Sequence, residues 1–189
     1  KTLLKNNQIK KVDVQIIVKK APVNPNGQGD GKENAILPGV KKIVAIASGK
    51  GGVGKSTMAV NLACAIERAG KDNSSSKTAK IGLMDCDVYG PSVPLLIGAS
   101  GQPQALGENH IEPVESYGIK VMSMGLLVDE ETPVVWRGPM VMKTIQQFAS
   151  NVEWGELDLL LIDLPPGTGD AQLSLAQTMP LDGVVIVTT

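Results

Sequence analysis

The stretch IASGKGGVGKST, residues 46–57, gathers four glycines and two lysines at the end of the apolar run KIVAIAS and ahead of a helix-forming segment. Glycine loses more backbone entropy on folding than any other residue, so such a cluster weakens a fold that must hold it in one conformation. It belongs where successive N–H groups turn inward around an anion, because a Cβ would block that approach. Residues 49–56 match G-x-x-x-x-G-K-S/T, the phosphate-binding loop, in the strand–loop–helix setting that the motif requires. The match assigns Gly49, Lys50, Gly51, Gly52, Val53 and Gly54 to the phosphates, with the positive end of the following helix behind them. Lys55 reaches the β and γ phosphates, Ser56 places its hydroxyl on Mg²⁺, and Thr57 flanks the helix start.

That loop demands a sheet to anchor it, and the rest of the pattern supplies one. After KIVAIAS comes a helix over residues 55–69 with apolar positions Met58, Leu62, Ala65 and Ile66, then the strand KIGLMDCD. Farther on, GIKVMSMG reads as a strand, residues 140–149 as a helix opened by Pro139, and LDLLLID as a fully buried strand. A helix over 170–178 and the strand GVVIVTT follow. Apolar strands alternating with helices predict an α/β fold, a mostly parallel sheet with helices on both faces. The chain stops in a strand, so this domain reads as incomplete at the C-terminus.

Residues 1–20 hold one short strand, VDVQIIV, and read as the remnant of a preceding small domain; residues 21–39, rich in Pro, Gly and Asn, read as a flexible linker to a domain over 40–189. Residues 1–42 carry a net charge of +6 against −7 for the remainder, a balance that gives no reason to expect nucleic acid as a partner. No apolar run approaches the roughly 18 residues of a membrane span, and the chain reads as soluble. The absence of Arg from residues 1–42 argues against an intact mitochondrial presequence. Cys64 and Cys86 lie far apart in apolar segments, as buried reduced thiols rather than a disulfide or a metal knuckle.

A magnesium nucleotide needs hard oxygen ligands and an oriented water, so carboxylates are expected at strand ends. Asp163 ends LDLLLID as a Walker B aspartate, coupled to Mg²⁺ directly or through water. Asp85 and Asp87 end IGLMDCD. The loop LPPGTGD, which directly follows Asp163, combines stiff prolines with glycines as a γ-phosphate-sensing switch would. Spacing alone gives no role to Arg137 or to the lone His110.

GKGGVGKS resembles the deviant Walker A motif of the MinD/ParA class of ATPases. The resemblance implies a deviant Walker A P-loop NTPase fold, a homodimer in which Lys50 reaches the facing subunit's nucleotide, and switch I carboxylates at Asp85 and Asp87. Asp87 then positions the water and Asp85 joins the metal shell. Together with DVYGPSVP, VVWRGPM, WGELD and DLPPGTGDAQLSLAQ, in this order over residues 39–189, the motifs look very like the Mrp/ApbC family of iron-sulfur cluster carrier ATPases. MSMGLLVDEETPVVWRGPMVM most resembles the mitochondrial NUBP-like branch, which assists assembly of respiratory complex I, whereas the N-terminal remnant resembles a MIP18-like domain of bacterial and plastid members.

The family resemblance implies ATP and Mg²⁺ as ligands, iron-sulfur apoproteins as recipients, and a mitochondrial matrix location, with bacterial cytoplasm or plastid stroma as alternatives. It also implies a 4Fe-4S cluster held at a dimer interface by a C-terminal C-x-x-C, which this sequence lacks, so the cluster ligands are expected beyond residue 189. The rival expectation is a MinD/ParA-like positioning ATPase acting on membrane or nucleoid.

Overall fold

A computed structural model describes residues 37–72, 78–107, 110–127, 138–167 and 179–189, together with Gln172 and Leu175. The N-terminal strand, residues 73–77, Arg137 and most of the helix expected over 170–178 lie outside the described residues. The ordered elements are β1 (Ile43–Ala47), α1 (Lys55–Asp72), β2 (Ile81–Asp85), α2 (Val93–Ile97), β3 (Gln104–Ala105), β4 (Ile111–Glu112), β5 (Val114–Ser116), β6 (Ile119–Ser123), α3 (Gly138–Asn151), β7 (Leu159–Asp163) and β8 (Gly183–Ile186). Six strands form one sheet in the order β5-β6-β2-β7-β1-β8, and β3 pairs with β4 in a separate two-stranded ribbon. Neighbours are parallel throughout the large sheet except β5, which runs antiparallel to β6 at one edge.

The central strands β2, β7 and β1 are apolar on both faces because helices cover both. Alternation along each strand divides the core in two. Ile46, Leu83, Val121 and Leu161 point to the side of α1 and α2, whereas Ala45, Met84, Met122 and Ile162 point to the opposite side. There they meet α3 through Ile145, Phe148 and Ala149, whose spacing traces one helical stripe. Trp154, just after α3, donates its indole N–H to the Phe148 carbonyl at 3.0 Å and so satisfies the one polar atom its burial would strand.

The fold class expected from the pattern is observed, with two corrections in detail. Helix α1 continues three residues past Ala69, and its buried face is Ala59, Val60 and Ala63 rather than Met58, Leu62, Ala65 and Ile66. Small side chains let the helix approach the sheet closely; Leu62 and Ile66 pack at the margin, while Met58 and Ala65 are exposed. Short elements escaped the periodicity altogether: five-residue α2, the β3–β4 ribbon and three-residue β5 are too brief to show a repeat.

Close packing makes one position in β2 sensitive. A Cβ at Gly82 would lie 2.6 Å from Leu157 Cδ1 and 2.8 Å from Leu160 Cδ1. Gly82→Ala is expected to destabilise the fold by about 1–3 kcal/mol through overpacking, measured as a lower midpoint in urea denaturation.

Candidate nucleotide site

The site forms where the parallel register brings four residues to one level. Ile46 of β1 pairs with Asp163 of β7, Asp163 with Asp85 of β2, and Asp85 with Ser123 of β6. In-register residues of parallel strands face the same side, so both carboxylates point toward the α1 face at the strands' C-terminal ends. Open α/β sheets bind ligands at that edge. The loop after β1 returns over it and delivers Lys55 as the first residue of α1.

Lys55 is 6% exposed and its Nζ donates to Asp163 Oδ1 at 2.7 Å, with Ser56 Oγ at 3.3 Å. Above the pair lies a cavity of about 230 Å³ lined by Gly51, Gly52, Gly54, Lys55, Ser56 and Thr57 from the loop, and by Asp87 opposite. Gly52 and Gly54 take φ of +77° and +85°, values that side chains disfavour, and a Cβ on either would project into open space. The loop thus keeps a bare backbone surface. Gly49, Lys50 and Val53 do not line the cavity; Lys50 is exposed and Val53 half-buried.

Asp85 and Asp163 are buried, whereas Asp87 is half-buried and reaches the cavity. Asp85 Oδ1 accepts the Asp87 N–H and its Oδ2 accepts the Ser123 hydroxyl, both at 3.0 Å. Asp87 Oδ1 in turn accepts the N–H groups of Tyr89 and Gly90 at 3.3 Å, which folds the VYGPS segment back over its own carboxylate. Burial pushes the Asp85 carboxyl up to about 7, with Asp163 adding like-charge repulsion. Asp163 is also raised by burial, against the attraction of Lys55.

Ser48, Ser92 and Pro166 line the cavity as well, and the loop motif names none of them. Ser48 stands one residue ahead of the motif and could have been suspected only from its position at the strand end. Of the LPPGTGD loop after Asp163, residues 164–167 are described; the Gly167 N–H donates to the Ser48 carbonyl at 3.0 Å, and Gln172 Nε2 donates to the Pro165 carbonyl at 2.6 Å. His110 pairs through Nδ1 with Glu153, away from the cavity. The two cysteines diverge: Cys64 packs on the α1 side of the sheet and fully buried Cys86 on the α3 side.

Asp85 offers a test of these electrostatics without nucleotide. A folded-state value near 7, above the unfolded 3.8, means the folded protein binds the extra proton. This group's contribution to stability therefore falls as pH rises from about 4 to 7. Asp85→Asn is expected to raise the melting temperature of nucleotide-free protein at pH 8, with the gain shrinking toward pH 5, as followed by thermal denaturation across that range.

The family described as NUBPL iron-transfer P-loop NTPase matches residues 39–189. An Arabidopsis thaliana relative named iron-sulfur protein required for NADH dehydrogenase, mitochondrial, is 54% identical over 153 residues, covering 81% of this chain and 47% of that protein. The iron-sulfur cluster transfer protein NUBPL of Mus musculus is 52% identical over 153 residues, covering 81% and 46%. An iron-sulfur cluster carrier protein of Aquifex aeolicus is 52% identical over 155 residues, covering 81% and 40%. The chain thus spans less than half the length of these relatives. A solved nucleotide-binding protein from Archaeoglobus fulgidus, in complex with ADP, superposes with a TM-score of 0.64 at 41% identity, covering 79% of this chain and 55% of that one. With a family match over four-fifths of its length, the chain belongs to the NUBPL iron-transfer P-loop NTPases.

Proposed function

We propose that this chain is the nucleotide-binding part of a homodimeric, ATP-hydrolysing carrier that delivers 4Fe-4S clusters to apoproteins. The carrying observation is the buried Lys55–Asp163 pair beneath a glycine-walled cavity. The relatives' names, which concern iron-sulfur transfer, support that reading over a positioning ATPase on membrane or nucleoid. No helix among the described residues is long and apolar enough to cross a membrane. The Arabidopsis relative's name supports complex I subunits among the recipients and a mitochondrial location.

The residues fit a magnesium nucleotide. Asp163 Oδ2 is buried with no hydrogen-bond partner, and with Ser56 and Asp85 it provides hard oxygen donors. Among the described residues no three His, Cys, Asp or Glu side chains form a metal cage, which suits an ion held by one or two carboxylates and the substrate's phosphates. Mg²⁺ would supply charge neutralisation for the terminal phosphoryl group.

The protein groups divide the remaining work. The loop N–H groups and Lys55 bind and orient the phosphates. Asp87, fixed by two backbone N–H groups and facing the cavity, orients the attacking water. Lys50, exposed beside the cavity, reaches the nucleotide of the second subunit and stabilises charge as the terminal bond breaks. The cluster is cargo, and its thiolates lie outside this chain, since Cys64 and Cys86 sit on opposite sides of the sheet.

The test uses intact protein carrying a reconstituted 4Fe-4S cluster and an apo-enzyme that needs such a cluster for activity. MgATP is expected to alter the rate of reactivation, and Lys55→Ala to abolish both that response and most MgATP binding by calorimetry. A parent protein whose transfer ignores ATP would refute the coupling. Lys50→Ala is expected to retain nucleotide binding while its turnover falls about a hundredfold, because its role arises in the transition state. A phosphate-release assay beside the binding isotherm separates the two effects.

A further inference from the structure

Among the described residues, two buried side-chain oxygens lack a hydrogen-bond partner: Asp163 Oδ2 and Ser48 Oγ. A buried hydroxyl left unpaired costs the desolvation of its polar group, and a native protein that keeps one needs a reason. Ser48 is 3% exposed and lines the nucleotide cavity. Its place is firmly set. The Leu164 N–H donates to the Ile46 carbonyl and the Gly167 N–H to the Ser48 carbonyl, both at 3.0 Å, so β1's exit is stitched to the segment that follows Asp163.

We propose that Ser48 is a substrate-binding residue whose hydroxyl donates to an oxygen of the γ-phosphoryl group. This deepens the ATPase reading above and rests on it. Ser48 directly precedes the phosphate loop, its carbonyl is held by Gly167, and Pro166 of that same segment also lines the cavity. Asp87 lines the cavity, Asp85 and Asp163 lie buried near it, and all three accept hydrogen bonds, so an anionic oxygen brought there needs donors. Lys55 is one, and the hydroxyl of Ser48 is a second that spends nothing on internal partners. Because the same residue's carbonyl holds Gly167, a phosphoryl group bound by the side chain also fixes the backbone to which the switch segment is tied.

The intact protein is titrated with Mg²⁺ and either ADP or an ATP analogue with an imido bridge between the β and γ phosphorus atoms. Ser48→Ala is expected to weaken the analogue about tenfold, leave ADP within about twofold, and not lower the nucleotide-free melting temperature, since no internal hydrogen bond is lost. Ser48→Thr, which keeps the hydroxyl, is expected to retain the parent ratio of the two affinities. Equal loss of both nucleotides in the Ala variant, loss of neither, or the same altered ratio in the Thr variant would overturn the assignment. A lower nucleotide-free melting temperature for the Ala variant would also overturn it, by revealing an internal partner. A parent protein that binds neither nucleotide would sink the ATPase reading itself, and this inference with it.

Discussion

Everything at the nucleotide edge depends on one buried ion pair, Lys55 with Asp163 at 2.7 Å. Removing either partner of such a pair leaves an uncompensated charge out of water, at a cost of about 3–5 kcal/mol. Satisfying it requires β1 and β7 to be neighbours in register and α1 to begin where the loop ends. The loop's glycines contribute almost no side-chain packing of their own. Its course is therefore dictated from its two ends, by Gly167 gripping the Ser48 carbonyl and by Asp163 gripping Lys55.

The same register makes the site acidic. Interleaving β7 between β2 and β1 sets Asp85 and Asp163 side by side in a region that excludes water. Among the described residues one lysine, Lys55, is buried with them, and Asp85 relies on backbone and hydroxyl donors instead. Such an arrangement has an unspent appetite for cations and hydrogen-bond donors, which supports the magnesium nucleotide proposed for it.

Much of this was legible from residue order. The strand–glycine loop–helix pattern and the acids at strand ends pointed to the candidate site, because a phosphate loop needs those neighbours, and the long apolar strands announced a sheet covered on both faces. The buried face of α1 was misread: hydrophobicity singled out Met58 and Leu62, while closeness to the sheet selected Ala59 and Ala63. Ser123 and Ser92 gave no signal, since a serine's value lies in what tertiary contact places opposite it. The strand order was equally invisible, because interleaving β7 is a long-range choice that no local pattern encodes.

The pleat at the end of β2 has a further meaning. Asp85 and Cys86 are adjacent in sequence, yet the sheet stands between their side chains as a partition. On one side are oxygen donors suited to a hard ion; on the other is a thiol that burial holds in its protonated form, well above its ordinary range. In a family described by iron transfer, the alternation of side chains along one strand separates a soft donor from the hard ones at the nucleotide edge.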